Sequence, residues 1–390
     1  MIIPSTIDIL RNLIAFPTIS RQSNLDMLDY IESFLVPFGA RAERIAHEDG
    51  SRANLWVSIG PEGAGGVVLS GHTDVVPVTG QNWTHDPFTM VEREGRFYGR
   101  GTADMKGFLA AAIRAAMKAT QRDLKQPLHL AFSYDEELGC LGVRSLIDAL
   151  AARPERPALC IIGEPTGMKI ATGHKGKTAY RACCHGHEGH SALAPNALNA
   201  LHLGAAFIAS LQAQQAALVE HGSRDDAYDI PYSTIHAGIM RGGTALNIVP
   251  NRCEIDFEIR NIVEDDPDAI IAAIERDAEA IAAPHHATFP EAAITIEEVS
   301  GYPGLNAPED APAVQLLRQI TGDNAPAIKV AFGTEGGLFQ TGLGMSTAVC
   351  GPGFMDQGHK PDEFVSGQQL NLCDAMLDRL LEVLAREVRT

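Results

Sequence analysis

The sequence lacks any hydrophobic run that approaches the ~20 apolar residues needed to span a bilayer, which argues against an integral membrane protein. Its first residues, MIIPSTIDIL, show no basic stretch followed by an apolar run and a cleavage site, so they predict no secretory signal. Positive charge is also scarce, because 31 Lys and Arg face 49 Asp and Glu and leave a formal net charge of -18. Nucleic acids and anionic membranes bind clustered Lys and Arg, so neither is an expected partner.

The sequence contains few cysteines, and their number is odd. Seven cysteines in 390 residues do not indicate a disulfide framework, and they favour reduced thiols in the cytoplasm. Cys183 and Cys184 are adjacent and lack the CxxC spacing of a structural zinc site. We therefore expect a cytoplasmic protein in which most cysteines are small buried apolar residues.

Four short apolar runs end abruptly in glycine and charged residues, as the buried strands of an α/β sheet do when loops at one edge carry function. These runs are Val67–Ser70, Leu128–Ser133, Leu159–Ile162 and Thr347–Cys350. Between the first two lies Gly107–Thr120, an alanine-rich stretch with larger apolar residues at helical spacing. The strand, helix and strand together predict a βαβ unit and an α/β fold class.

The middle of the sequence follows a different pattern, in which half-buried strands alternate with helices. The predicted elements are strands in Gly176–Cys184 and Ala245–Arg260 and helices in Ala197–Val219 and Asp266–Ile281. This pattern predicts a smaller α+β domain inserted into the larger one. The predicted boundaries are 1–175 plus 291–390 for the large domain and 176–290 for the insert.

Five loops place a histidine or a carboxylate beside glycine. They are Ser70–Asp74, Gly99–Gly107, Asp135–Glu137, Gly163–Pro165 and Gly358–His359. Imidazole and carboxylate suit zinc and related divalent ions, and carboxylates held close together repel one another unless cations lie between them. Each loop alone is compatible with a surface turn, a solvated acidic face or a strand end. Together, at the ends of core strands and in glycine-rich turns, they favour a two-metal site.

A series of motifs runs along the chain between about residue 66 and residue 364. In chain order these are SGHTDVVPV, GRGTADMKG, DEELGC, GEPT, GHSA and GPGFMDQGHKPDE. In these motifs the sequence resembles the aminoacylase and carboxypeptidase-type dinuclear zinc hydrolases, a metallopeptidase family. The resemblance implies a mixed-sheet, zinc-peptidase-like catalytic domain with an inserted α+β lid domain that also mediates dimerisation. It further implies two Zn²⁺ per chain, for which Co²⁺ can substitute.

The resemblance also assigns the metal ligands. One ion is implied to bind His72, Asp104 and Glu164, and the other is implied to bind Asp104, Glu137 and His359. Asp104 would bridge the two ions, and the peptide bond between Asp104 and Met105 is expected to be cis. Asp74 is expected to accept the second imidazole hydrogen of His72, which fixes the tautomer of the ring.

Glu136 matches the general base of the family. It is implied to take a proton from a metal-activated water molecule and to return it to the leaving nitrogen. His190, within GHSA, is implied to stabilise the oxyanion. In relatives this histidine reaches the active site of the other subunit, so we expect a homodimer formed through the lid domain.

Four further residues are implied to bind substrate. Asn247 and Arg260 match lid positions that contact substrate in relatives, and Arg260 suits a bidentate grip on an α-carboxylate, although a salt bridge on the strand face is an equal alternative. Thr334 and Glu335 resemble a segment of the members that deacetylate N-acetylornithine, in which Glu335 would pair with the substrate ammonium. The Gly-Gly-Leu-Phe that follows departs from that pattern and leaves other N-acylated amino acids open.

The expected activity is therefore hydrolysis of the amide bond of an N-acylated amino acid. N-acetylornithine is the first candidate substrate, and it would imply a role in arginine biosynthesis. One alternative is a related amidohydrolase or dipeptidase of the same family, including one that acts on succinyl-diaminopimelate. Another is a noncatalytic metal- or peptide-binding protein, but an intact Glu136 beside a full ligand set speaks against it.

Overall fold

The computed structural model describes residues 3–63, 65–154 and 156–386. The chain divides into two compact units. The small unit comprises His174–Gly304 and Ala331–Gly333, and the large unit comprises the other described residues. Within these described ranges, no helix has the length and apolar character that crossing a bilayer requires.

A mixed β-sheet forms the centre of the large unit. The strands of this unit are β1 (Arg41–Ala46), β2 (Ala53–Ile59), β3 (Val67–His72), β4 (Val91–Arg93), β5 (Arg96–Tyr98), β6 (Leu128–Ser133), β7 (Leu159–Pro165), β8 (Ala171–His174), β15 (Leu305–Asn306), β16 (Ile328–Val330), β17 (Ser346–Gly351) and β18 (Phe364–Ser366). The order in the main sheet is β1-β2-β6-β3-β7-β17-β8-β15, with β16 paired to β8, and β4, β5 and β18 form a separate small sheet. Strands β6, β3, β7 and β17 run parallel, whereas β2 pairs with β6 in antiparallel fashion. The predicted mixed-sheet α/β fold is confirmed.

Helices cover the main sheet and close its hydrophobic core. They are α1 (Thr6–Ile14), α2 (Leu25–Leu35), α3 (Gly107–Ala119), α4 (Val143–Ala151), α7 (Pro312–Thr321), α8 (Gly336–Leu343) and α9 (Gly367–Leu384). The alanine-rich helix α3 is buried on nearly all sides, and its larger residues Phe108, Leu109 and Ile113 belong to the main core. All six residues of β3 and of β6 are buried, as expected for parallel strands covered on both faces.

The small unit is an antiparallel sheet covered by two helices. Its elements are β9 (Lys177–His185), β10 (Gly189–His190), α5 (Ala200–His221), β11 (Thr234–Gly242), β12 (Ile248–Val249), β13 (Arg252–Arg260), α6 (Pro267–Ala282) and β14 (Ala293–Tyr302). The sheet order is β11-β13-β9-β14, and β10 pairs with β12 in a short ladder. Leu203 and Phe207 of α5 pack with Ile255 and Phe257 of β13 and with Ile274 of α6 in one core.

Two sequence predictions about the small unit need correction. The predicted boundary at residue 290 is wrong, because β14 pairs along its length with β9 and belongs to the sheet of the small unit. The single alternating run predicted at Ala245–Arg260 is two strands, β12 and β13, separated by Pro250 and Asn251. Proline has no N–H group to donate to a strand ladder, which accounts for the break.

Candidate metal centre

The predicted ligands meet at one edge of the main sheet. His72 ends β3, Glu136 and Glu137 begin the turn of 3₁₀ helix that follows β6, and Glu164 lies in β7. Since β3, β6 and β7 are parallel neighbours, their carboxyl ends reach the same edge, where α/β proteins hold their ligands. Asp104 lies in the turn before α3, and His359 lies in the connection between β17 and β18.

Asp104 is shared between two imidazole rings. His72 Nε2 lies 3.0 Å from Asp104 Oδ1 and 3.7 Å from Glu164 Oε1. His359 Nε2 lies 3.0 Å from Asp104 Oδ2 and 3.0 Å from Glu137 Oε2. The structure therefore brings all five predicted ligands together, with one oxygen of Asp104 on each side. The peptide bond between Asp104 and Met105 is cis, as the resemblance implied.

Asp74 holds the loop of the predicted base. Its Oδ1 accepts a hydrogen bond from the Glu136 amide at 3.0 Å, and its Oδ2 accepts from the Glu137 amide at 3.4 Å and from Ser20 Oγ at 2.7 Å. His72 Nδ1 lies 2.8 Å from the main-chain oxygen of Asp74 but 3.5 Å from its Oδ1. The expected carboxylate partner of His72 is thus corrected to the carbonyl of the same residue, which fixes the ring tautomer equally well.

Burial and like charge raise the pKa of three carboxyl groups in the cluster. Burial is the largest cause for Glu136, whose pKa rises to about 8, and nearby carboxylates including Glu137 add to the effect. Burial and then the charge of Asp104 raise the pKa of Glu137 to about 7. The same two causes raise the pKa of Glu164 well above its usual value. Without cations, this cluster favours bound protons over negative charge.

The pKa values of the two histidines in the cluster are also raised, which favours their charged form. Burial opposes a charge on His72, but its contacts with the carboxylates of Asp104 and Asp74 outweigh burial and raise its pKa well above the usual value. Hydrogen bonds with Asp104 and Glu137 raise the pKa of His359 to about 11. The carboxylates therefore favour positive charge on both imidazoles.

The donor set fits a metal centre. Ligand atoms of His72, Asp104 and Glu137 lie within 4.8 Å of one another, and so do those of His72, Glu136 and Glu164. Two imidazoles and several carboxylates match the ligand preference of zinc and similar divalent ions. Cations would also neutralise carboxylates that otherwise repel one another in a buried space.

Thr334 and Glu335 have contacts within the protein that differ from their predicted role. Thr334 is buried, and its hydroxyl accepts a hydrogen bond from the Gly336 amide at 2.9 Å, at the start of α8. Glu335 is also buried, and its two carboxylate oxygens accept hydrogen bonds from the hydroxyls of Ser70 and Ser133. Burial is the main reason that the pKa of Glu335 rises to about 7. The geometry thus shows both residues anchoring the main sheet and α8.

The remaining predicted residues lie in the small unit. His190 and Asn247 are exposed neighbours, because β10 pairs with β12 and the Ser191 amide donates to the Asn247 carbonyl at 3.0 Å. Arg260 Nε donates to Glu258 Oε1 at 2.8 Å, which is the strand-face salt bridge left open as an alternative.

Three residues that contact the cluster or support its turns were not singled out from the sequence. Glu363 and Arg100 form a buried ion pair beside the Asp104 turn, and the Cys140 thiol lies 3.2 Å from Glu136 Oε1. All three fall inside the quoted motifs. Motif membership was the available signal, but spacing along the chain does not show which side chains meet. The expectation about cysteines is confirmed, since all seven are free and buried.

This fold and ligand cluster define a protein that can hold metal ions at one edge of its main sheet. Residues 68–383 match peptidase family M20/M25/M40, and the chain belongs to that family. It is 33% identical to acetylornithine deacetylase from Pasteurella multocida (strain Pm70), over 97% of this chain and 98% of that protein. It is 34% identical to acetylornithine deacetylase from Edwardsiella ictaluri (strain 93-146), over 93% of this chain and 94% of that protein.

Solved structures show the same fold. A metallo-carboxypeptidase of the M20 family, Sso-CP2 from Sulfolobus solfataricus, has a TM-score of 0.78 at 17% identity and covers 98% of this chain and 99% of its own. Aminopeptidase PepT from Bacillus cereus has a TM-score of 0.77 at 17% identity and covers 98% of each chain. Family membership and the curated relatives together make this chain a metal-dependent amidohydrolase.

Proposed function

We propose that the chain removes the acetyl group from N-acetylornithine, or from a closely related N-acylated amino acid, with two zinc ions. The relatives named acetylornithine deacetylase support this substrate. The single observation that carries the two-metal proposal is the Asp104 carboxylate, whose two oxygens each lie 3.0 Å from a different imidazole. A cytoplasmic location and a role in arginine biosynthesis are part of the proposal.

The ligand cluster divides into two sets. His72, Glu164 and Oδ1 of Asp104 would hold one ion, and Glu137, His359 and Oδ2 of Asp104 would hold the other. The chemistry supplied by bound zinc is Lewis acidity, which lowers the pKa of a water molecule toward ~7 and polarises an amide carbonyl.

Glu136 is placed to move the proton. Its amide is held by Asp74, and its carboxylate lies beside His72 and Glu164, within the ligand cluster. A carboxylate positioned in this way can serve as a general base. Glu136 accepts a proton from the attacking water as the water oxygen bonds to the carbonyl carbon. Glu136 then gives that proton to the amide nitrogen as the C–N bond breaks, which yields acetic acid and the amine. The proton of the acid passes to the amine, so the products are acetate and the ammonium form of the amino acid.

His190 supplies a hydrogen-bond donor in this proposal. Its Nδ1 accepts a hydrogen bond from the Ala192 amide at 3.1 Å, so the neutral ring carries its proton on Nε2. Exposed apolar side chains flank it in the small unit: Leu193 is 60% exposed, Leu246 is 102% exposed and Ile248 is 43% exposed. Apolar groups exposed in this way favour association, which supports a homodimer in which His190 serves the site of the second copy.

The test is a panel of substrates with wild-type protein and with Glu136→Gln. The panel contains N-acetylornithine, other N-acetylamino acids, N-succinyl-diaminopimelate and simple dipeptides, each with added Zn²⁺ or Co²⁺ and after chelation. We expect the highest kcat/KM with N-acetylornithine, loss of activity on chelation, and recovery with either metal.

Glu136→Gln should keep the metal content of the wild type and lose nearly all turnover, because the amide cannot accept the proton from water. Preferred cleavage of dipeptides would overturn the substrate proposal. Full activity of Glu136→Gln would remove Glu136 as the base.

A further inference from the structure

A buried ion pair lies beside the ligand cluster without contributing a ligand. Arg100 Nη1 lies 2.6 Å from Glu363 Oε2, and each residue is 1% exposed. A buried ion pair is costly to desolvate and is stable only where further hydrogen bonds satisfy both groups. The other contacts of these two side chains therefore indicate the structural role of the ion pair.

Glu363 fixes the main chain of the turn that carries Asp104. Its Oε2 also accepts a hydrogen bond from the Gly101 amide at 3.0 Å. Its Oε1 accepts from the Ala103 amide at 2.9 Å and from the Asp104 amide at 3.0 Å. One carboxylate thus receives four donors and determines where the Asp104 backbone lies.

Arg100 extends this network to the segment that carries His359. Its Nη1 also donates to the Lys360 carbonyl at 3.4 Å, and its Nη2 donates to Gln81 Oε1. Gln81 Nε2 in turn donates to the His359 carbonyl at 3.0 Å. Glu363 is only four residues beyond His359 in the chain, so the segment is held at both ends.

The two sets of metal ligands differ in what supports them. His72 and Glu164 lie in neighbouring strands β3 and β7 of the main sheet, whose pairing fixes their backbone positions. His359 lies in a connection, has a φ of 58°, and its side chain is 48% exposed. Packing does not hold such a ring, so its position depends on how its backbone is anchored.

We infer that Gln81, Arg100 and Glu363 are positioning residues that set the distance between Asp104 and His359 and thereby the affinity for the metal ion held by His359 and Glu137. The inference rests on the two-metal proposal above. Loss of the Gln81 contact should weaken that ion selectively, because Gln81 holds the His359 carbonyl and the ion held by His72 and Glu164 keeps its ligands. Changes at Glu363 or Arg100 should also move the shared Asp104 and so weaken both ions. Removing a group that orients a metal ligand typically weakens metal affinity by ~10–100-fold.

The experiment is a titration of metal-free protein with Zn²⁺ and with Co²⁺, followed by calorimetry and by Co²⁺ absorption. The variants are Gln81→Met, Arg100→Met, Arg100→Lys and Glu363→Gln. Asp374→Asn is the matched control, because the Asp374 carboxylate is in a partly buried cluster with Thr6 and Arg114 in the same unit. Thermal unfolding of the metal-free variants shows whether each one folds.

Wild type and Asp374→Asn should each bind two ions, and the affinity of each binding step should be the same in the two proteins. Gln81→Met should leave one of the two binding steps unchanged and weaken the other by ~10–100-fold. Arg100→Lys should lose less than Arg100→Met, because lysine keeps a charge for Glu363 without the second arm that reaches Gln81. Gln81 is partly exposed and carries no buried charge, so its variant decides the question if Glu363→Gln does not fold.

Equal weakening of both steps in Gln81→Met, or no change in either, would overturn the positioning role. Binding of a single ion by wild type is a different result, since it removes the two-metal proposal itself.

Discussion

Substitution of Asp74 tests how the base loop is held, and its effect can be worked out from three hydrogen bonds. In Asp74→Asn, the amide oxygen can take the place of Oδ1 and keep the bond from the Glu136 amide. The amide nitrogen then faces Ser20 Oγ, which can accept instead of donate, and the Glu137 amide, which loses its acceptor. Asp74→Ala leaves both amides without an acceptor.

An unsatisfied buried N–H group costs about 1–3 kcal/mol, and about 1.4 kcal/mol corresponds to a tenfold change. We therefore expect kcat/KM to fall by about tenfold in Asp74→Asn and by about 100-fold in Asp74→Ala. The measurement is steady-state hydrolysis of N-acetylornithine at saturating Zn²⁺, with metal content determined on the same samples. Ser20→Ala is the control, since it removes one donor to Asp74 and leaves the loop bonds intact, so a loss below about fivefold is expected. A fully active Asp74→Ala would show that the loop holds its geometry without this carboxylate.

Three further outcomes follow from the site. Metal-free protein should unfold at a lower temperature at pH 8 than at pH 6. In the folded state the pKa values of Glu136 and Glu137 are raised to about 8 and about 7. Their contribution to stability is therefore full below about pH 4.5 and is lost as the pH rises through those values. A rise in unfolding temperature across that window would contradict this sign. Glu335→Gln should change kcat/KM for N-acetylornithine and for N-acetylmethionine by the same factor, because the Glu335 carboxylate already accepts hydrogen bonds from two serine hydroxyls. A selective loss with N-acetylornithine would instead indicate that Glu335 pairs with the substrate ammonium. Cys140→Ala should shift the acid limb of the kcat/KM profile to higher pH, because it removes a donor to the Glu136 carboxylate, whereas Cys140→Ser should leave the limb in place.

The ligand cluster could be predicted because it depends on features that are local in the sequence. Each ligand either ends a recognisable strand, as His72 does, or lies in a glycine-rich turn, as Asp104 does. Parallel strands bring their carboxyl ends to one edge whatever their order in the chain. The grouping of histidines and carboxylates at those strand ends could therefore be predicted without knowing the order of the strands in the sheet.

Other features depend on pairings that the sequence does not display. Strand β14 belongs to the small unit because it pairs with β9, more than 100 residues earlier, and alternation alone does not name a partner. The contacts of Glu335 with Ser70 and Ser133 join three distant segments of the large unit. The same holds for Arg100 and Glu363, whose ion pair spans 263 positions.

The buried carboxylates of the large unit differ in the donors that they receive, and this difference separates ligands from anchors. Glu363 receives four donors, Asp74 receives three, and Asp135 receives the Arg21 amide at 2.6 Å and Arg52 Nε at 2.8 Å. Within the described part of the chain, imidazole nitrogens are the only hydrogen-bond or ion-pair partners of the side-chain carboxylates of Asp104, Glu137 and Glu164. A buried carboxylate with unused acceptor positions is unfavourable unless a cation fills them. Replacing an anchor should therefore change how tightly metal is bound, whereas replacing one of these three should change how many ions are bound, and a count of bound metal distinguishes the two groups.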